Sequence, residues 1–244
     1  MPLTLATITP GEPEIFASVQ GEGRSAGLPC TFVRLSRCNL ACSWCDTAYT
    51  WHFNGDQRPH RDGVTFDRSI NQIVLSEEDV AARIMALGGD RLVITGGEPL
   101  LQGAQLARMV ALLKGHTVEI ETNGTVAPHA LLAPLVDQYN VSPKLKHSGN
   151  AAEIALLFDR LSAWSKEPKA HFKFVISAPE DLPELLALQQ TYAILSERIQ
   201  LMPEGTTSAA IHARTAWLAP LALDHGLGFS DRLHIHLYGD TRGT

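Results

Sequence analysis

Cys38, Cys42 and Cys45 stand in the run CNLACSWC, separated by three and then two residues. Three thiolates this close can hold an iron-sulfur cluster one protein ligand short. A four-iron cluster bound by four cysteines mostly moves electrons, whereas one bound by three leaves an iron on which a small molecule can be chelated and activated. The triplet also permits zinc, for which His52 lies near enough in sequence to be the fourth ligand. Disulfides fit less well. The first twenty residues carry no basic start followed by an apolar run, so the expectation is a reducing, cytoplasmic setting. Cys30, outside the triplet beside Thr31-Phe32-Val33, reads as a small buried thiol.

Other polar groups are less specific taken singly. Gly96-Gly97-Glu98-Pro99 offers main chain that a ligand can approach closely, and it also reads as an ordinary turn. Glu119 and Glu121 lie two apart on an expected strand and share a face, either as ligand-binding carboxylates or as a partly solvated strand face. His234 and His236 have the same spacing, but without a third ligand a structural role is favoured over a metal site.

The elements that must position these groups follow from the hydrophobic pattern. Short β-branched runs predict strands over 31–35, 91–95, 117–121, 139–141, 171–176, 199–201 and 233–237, with an extra N-terminal strand at Ile15–Val19. Ser76-Glu77-Glu78-Asp79 has the form of a capping box opening a helix through Leu87, which Gly88-Gly89 ends. Further helices are expected over 128–136, 153–164, 182–191 and 208–223. This alternation implies an α/β fold with a parallel sheet, open or curled into a partial (β/α) barrel. Each polar motif follows a strand: the cysteine loop, Gly96-Gly97-Glu98-Pro99, Asn123-Gly124-Thr125, Ser142-Pro143-Lys144 and Met202-Pro203-Glu204-Gly205. In a parallel sheet those turns collect at the carboxyl ends of the strands, where α/β folds place their ligands. The region 48–75 lacks a clear period and is too long for an ordinary connection, so it reads as a lid, an insertion or a dimer contact.

A chain of 244 residues, 45% hydrophobic and 19% charged, can bury one substantial core, and one domain spanning 1–244 is expected. A net charge of −6 argues against nucleic acid or an anionic membrane as the main partner. No apolar stretch approaches the length that spans a bilayer.

The cysteine spacing is the pattern of radical S-adenosylmethionine (SAM) enzymes. Taken with Gln20-Gly21-Glu22-Gly23, Phe32-Val33-Arg34-Leu35, Trp44-Cys45-Asp46-Thr47, Gly96-Gly97-Glu98-Pro99, Glu121-Thr122-Asn123-Gly124-Thr125, Ser142-Pro143-Lys144 and Arg242-Gly243, it resembles the 7-carboxy-7-deazaguanine synthase family over almost the whole chain. That resemblance implies conversion of 6-carboxy-5,6,7,8-tetrahydropterin to 7-carboxy-7-deazaguanine and ammonia, a step toward queuosine, using SAM, a 4Fe-4S cluster and Mg2+. It implies hydrogen abstraction at substrate C6 by a 5′-deoxyadenosyl radical, ring contraction, hydrogen return and loss of ammonia. Carried over by position, Cys38, Cys42 and Cys45 hold the cluster. Val19, Gln20, Gly21, Glu22, Arg34, Thr95 and Thr244 meet the substrate, with Arg34 gripping its carboxylate by a two-pronged hydrogen bond. Trp44, Cys45, Asp46, Gly97, Ser142, Pro143, Lys144, Gln200, Leu201, Met202 and Pro203 line SAM, and Thr47 ligates magnesium. An electron donor such as flavodoxin or ferredoxin and a homodimer are also implied. An activase that installs a glycyl radical on a partner protein would share the cluster loop, and a zinc- or cluster-bearing binding module is the non-enzymatic alternative.

Overall fold

The computed structural model describes residues 2–244. Among the described residues eleven strands form one sheet: β1 (Leu3–Thr9), β2 (Glu12–Pro13), β3 (Ile15–Val19), β4 (Pro29–Leu35), β5 (Gln72–Leu75), β6 (Arg91–Gly96), β7 (Thr117–Thr122), β8 (Gln138–Val141), β9 (Ala170–Ile176), β10 (Ile199–Pro203) and β11 (Gly228–Phe229). The path runs β11-β10-β9-β8-β7-β6-β4-β1-β2, with β3 on β4 and β5 on β1. Every pair from β4 through β6 to β11 is parallel, and the N-terminal pairs are antiparallel. The path has two ends and does not close, as a partial barrel requires.

The parallel strands carry apolar side chains toward the helices and a mixed set toward the inner face, with the period of two that a pleated strand imposes. Val33 and Leu35 of β4, Val118 and Ile120 of β7, and Phe172, Phe174 and Ile176 of β9 belong to the buried core. Each fully buried side chain of this size contributes about 1.5–3 kcal/mol of burial. The alternate positions, Phe32 and Arg34, Glu121, Lys173 and Val175, line a cavity open to solvent. Strand register places Arg34 beside Thr95 on this face.

The main helices are α1 (Arg68–Asn71), α2 (Glu77–Leu87), α3 (Gly103–Ala111), α4 (Ala152–Ala155), α5 (Phe158–Lys166), α6 (Leu182–Tyr192), α7 (Ser208–Asp224) and α8 (Leu233–Tyr238). The Ser76 hydroxyl accepts from the Asp79 amide, and Gly88 ends α2 at φ +74°, as the capping residues predict.

Three expectations differ. The segment 233–237 is a helix; its apolar residues alternate, but only Ile235 is buried and Leu237 stays half exposed, so the alternation does not mark a face packed on a sheet. The last strand is instead Gly228–Phe229, which sequence reading passed over along with β1 and α3. The segment 128–136 holds only a single 3₁₀ turn, Ala133–Leu135, with a proline at its start and Leu131 exposed. The expected helix over 153–164 splits into α4 and α5. In the irregular region, Ala48–Thr50 is a 3₁₀ turn, Phe53 bridges Phe66, and its last residues are β5, paired with β1.

Candidate active site

The cysteine loop begins where β4 ends. Arg37 takes a left-handed φ of +81°, turning the chain; its amide donates to Thr50 O (2.7 Å) and its carbonyl accepts from the Glu98 amide (2.9 Å). That approach explains Gly97, because a Cβ there would strike the Arg37 carbonyl oxygen. Glu98 is fully buried and turned inward, accepting from Leu100 N (3.0 Å), Asn123 N (2.7 Å) and the Thr122 hydroxyl (2.9 and 3.0 Å). It clamps the turns after β6 and β7 together, and Gly96 and Gly97 are what this motif shows the cavity. Burial pushes its carboxyl up to about 7 against those donors.

All three loop cysteines are free thiols on one cavity wall. Burial pushes Cys38 up to about 12 and Cys42 up to about 11, and raises Cys45 as well. Such thiols release protons when iron binds. Each sulfur faces an N–H donor: Trp51 Nε1 is 3.4 Å from Cys45 Sγ, Asn150 Nδ2 is 3.3 Å from Cys42 Sγ, and Asn123 Nδ2 is 4.0 Å from Cys38 Sγ. Free sulfurs on a common wall with N–H groups directed at them suit cluster thiolates. They do not converge on one point as a single ion requires among the described residues, and His52 donates Nδ1 to Val64 O (2.8 Å) while packing on Trp51.

The cavity encloses about 340 Å³. Of the residues assigned from sequence, Val19, Gln20, Gly21, Glu22, Arg34, Trp44, Asp46, Thr47, Thr95, Gly97, Ser142, Lys144, Met202, Pro203 and Thr244 lie on its wall with the three cysteines. Pro143, Gln200 and Leu201 do not: Leu201 is fully buried in the core, and Gln200 sits beside Gly228 of the neighbouring β11. Lys144 donates to Ser142 Oγ (2.8 Å) and lies over the Trp44 ring (5.5 Å). The Thr47 carbonyl closes the following turn while its hydroxyl caps nothing, lying 3.6 Å from Cys45 Sγ. Thr244 is brought to the wall by Arg242, whose guanidinium sits 3.5 Å over Tyr49 and donates to Asn71 Oδ1 (2.9 Å).

Charged groups organise the floor. Arg34 Nε donates to Glu14 Oε1 (2.8 Å), and Tyr49 OH donates to both Glu14 oxygens (3.0 and 2.9 Å); the terminal nitrogens of Arg34 have no hydrogen-bond partner among the described residues. Lys173 Nζ bridges Glu22 (2.5 Å) and Glu121 (2.7 Å). Arg232 joins Glu22 (2.9 Å) to Asp46 and to the Gly205 carbonyl. Burial pushes the Glu22 carboxyl up, but Lys173, Arg232 and His234 outweigh it and hold Glu22 well below the usual carboxylate range. Asp46 is likewise lowered, Arg232 overcoming its burial.

Glu119 and Glu121 share a face as expected but divide their roles. Glu119, fully buried, takes bonds from Gln20 (2.8 Å), Ser25 (2.5 Å) and Asn140 (2.5 Å); burial and then Glu121 raise its carboxyl. Only Glu121 reaches the cavity. Gln20 donates to both glutamates and accepts from Glu22 N (3.2 Å), so its amide positions Glu22 and Glu121 rather than standing free for a ligand.

His234 and His236 part company on α8. His234 lies on the wall 3.8 Å from Glu22, its imidazole held low chiefly by burial, and its ring occupies the space a Gly21 Cβ would need. His236 contacts Ser208 (3.0 Å) and Asp231 (3.3 Å) on the outside. Sequence reading missed Glu14, Tyr49, Lys173 and Arg232. Lys173 had a signal, a cation in the otherwise apolar run HFKFVI, and the other three had none.

Residues 33–144 match the model of the Radical SAM superfamily. The chain is 36% identical over 235 residues to a 7-carboxy-7-deazaguanine synthase of Pyrobaculum aerophilum, covering 94% of this chain and 95% of the relative. The chain belongs to the 7-carboxy-7-deazaguanine synthase family. A relative of the same description from Halobacterium salinarum is 35% identical over 257 residues, covering 95% of this chain and 91% of that one. The fold matches the crystal structure of QueE from Escherichia coli with a TM-score of 0.65 at 24% identity, covering 95% of each chain. Family membership makes this a radical SAM enzyme with a 4Fe-4S cluster and SAM as cofactors, and sets aside both the activase and the non-enzymatic module.

Proposed function

We propose that the cavity binds 6-carboxy-5,6,7,8-tetrahydropterin between the cluster loop and the Glu22–Lys173–Glu121 network and contracts its ring to 7-carboxy-7-deazaguanine. The formula change is loss of ammonia alone, so no net oxidant is consumed and the hydrogen removed at C6 must be returned. Cys38, Cys42 and Cys45 would hold the cluster, and Trp44, Gly97, Ser142, Lys144, Met202 and Pro203 would line SAM. Bound there, cluster and SAM would supply radical chemistry able to take hydrogen from unactivated carbon.

The chain's own work is orientation and exclusion of water. Arg34, fixed at Nε by Glu14, presents two free nitrogens in the fork that a carboxylate accepts. Glu22 and Glu121, held in place by Lys173, offer acceptors to the N–H groups of the pterin edge. The Thr47 hydroxyl, left out of the turn, is a hard oxygen suited to Mg2+ beside the substrate carboxylate. The observation that carries this reading is the placement of a carboxylate-sized fork and an acceptor-lined floor on the same wall as three free cysteines.

All described strands belong to one sheet, which supports a single domain over 1–244. No described helix is long and apolar enough to cross a membrane. Family resemblance supports a homodimer and reduction by flavodoxin or ferredoxin, which light scattering and a reconstituted reduction assay would each test.

The deciding experiment is an anaerobic turnover of reconstituted protein with reductant, SAM, magnesium and the carboxypterin, with mass detection of the product. Product is expected from the wild type and none from Cys42→Ala. SAM cleavage without deazapurine would overturn the substrate assignment while leaving the radical machinery in place.

A further inference from the structure

The stretch from Trp51 to Arg61 carries no motif, yet it wraps the outside of the cysteine loop. His60 Nε2 donates to Cys45 O (2.9 Å), Arg58 Nη1 reaches the carbonyls of Cys38 (3.4 Å) and Leu40 (3.5 Å), and the Arg61 amide donates to Ser43 O (2.9 Å). Trp51, 4% exposed, lies under the Arg58 guanidinium at 4.6 Å and directs its indole N–H at Cys45 Sγ. On the far side, Asn150 accepts from the Ala41 amide through Oδ1 (2.9 Å), which fixes the amide so that Nδ2 points at Cys42 Sγ. Two of the three sulfurs therefore face, at 3.4 and 3.3 Å, a donor that is itself held in place, from segments that contribute no cluster ligand.

We propose that Trp51 and Asn150 set the reduction potential of the cluster, with the 51–61 segment serving as the cap that holds the Trp51 donor in place. This inference rests on the cluster reading above. Reduction adds one electron, from the 2+ to the 1+ state, with no bond broken and no proton moved, and part of the added charge falls on the cysteine sulfurs. An N–H donor stabilises the more negative state more, so it eases reduction. Removing a donor makes the cluster harder to reduce.

The test is an anaerobic redox titration, with titanium(III) citrate as reductant and electron paramagnetic resonance of the reduced cluster as readout, on wild type, Trp51→Phe and Asn150→Ala matched for iron and sulfide. At the wild-type midpoint the reduced-to-oxidised ratio is expected to fall about tenfold in each variant, a midpoint lower by about 59 mV for one electron. The direction is diagnostic, because water admitted through a damaged cap would also favour the more charged state and raise the midpoint. A fall in the variants that keep their iron supports the proposal; an unmoved or raised midpoint in them overturns it. Should Trp51→Phe lose its iron, Asn150→Ala, acting on a separate sulfur, decides the matter. A wild type with no cluster signal overturns the cluster reading and this proposal together, whereas a normal wild-type titration with unmoved variants overturns this proposal alone.

Discussion

Replacing Lys173 with Met tests whether the cavity floor is held by charge. Lys173 is 3% exposed and sits between Glu22 (2.5 Å) and Glu121 (2.7 Å). Methionine fills similar volume, so packing changes little. Glu22 keeps Arg232 at 2.9 Å, but Glu121 is left with the Gln20 amide at 3.2 Å and no cation. Breaking a buried pair costs about 3–5 kcal/mol, and because Glu121 opens onto the cavity the lower end applies, about 3 kcal/mol. For a chain of this size that is a fall of about 6–12 °C in Tm. Burial lowers the Lys173 pKa, but Glu121 and Glu22 raise it further, so its contribution is complete below about 10.4 and is lost as pH climbs through the raised value. Glu22 is shifted down, so its share is present above about 4.3 and is lost as pH falls toward its lowered value. The variant should therefore be destabilised between about pH 5 and 10 and approach the wild type at both extremes. Thermal unfolding at matched iron content measures this, and adding Glu121→Gln should recover at least about 1 kcal/mol. A Tm within about 2 °C of wild type, or strictly additive effects in the double variant, would refute the charge-held floor.

Arg34→Met should raise the KM for the carboxypterin about 10- to 100-fold, since a charged two-pronged bond is worth about 1.5–3 kcal/mol, and Arg34→Lys should rescue it poorly because an ammonium has no fork; steady-state kinetics showing less than a twofold change (about 0.4 kcal/mol) would remove Arg34 from the substrate site. Glu98→Gln turns an amide NH2 toward groups that are already donors whichever way it is placed, so urea unfolding should register a loss of about 1–3 kcal/mol without a change in cavity-lining residues. Gly21→Ala forces its methyl into the His234 ring, at a cost of about 1–3 kcal/mol. Stability should return in Gly21→Ala combined with His234→Ala, and failure to return would show that the clash is not the cause.

What could be read from the sequence, and what could not, divides along a physical line. The cluster loop, the glycine turn and Ser142-Pro143-Lys144 are local: each is a short run at a strand end, and a parallel sheet gathers strand ends without further instruction. The resemblance assigned Gln200 and Leu201 as well, but Leu201 turns into the core and Gln200 sits beside Gly228 of β11, so neither reaches the cavity. Lys173 and Arg232 escaped for a different reason. Their meaning lies in partners 151 and 210 residues away, Glu22 in both cases, and no local period encodes such a pairing. His234 was misplaced because Leu233, Ile235 and Leu237 alternate as a strand would; on the helix that forms instead, His234 and His236 no longer share a face, so the metal pair dissolves and His234 alone reaches the cavity. Gly21 held the one trace of this arrangement. It lacks a side chain where the imidazole lies, so a glycine that reads as part of a turn is also the space reserved for a histidine from the other end of the chain. The charged floor is thus a product of topology: Glu22 after β3, Glu121 of β7, Lys173 of β9 and Arg232 at the start of α8 meet only when the sheet is complete.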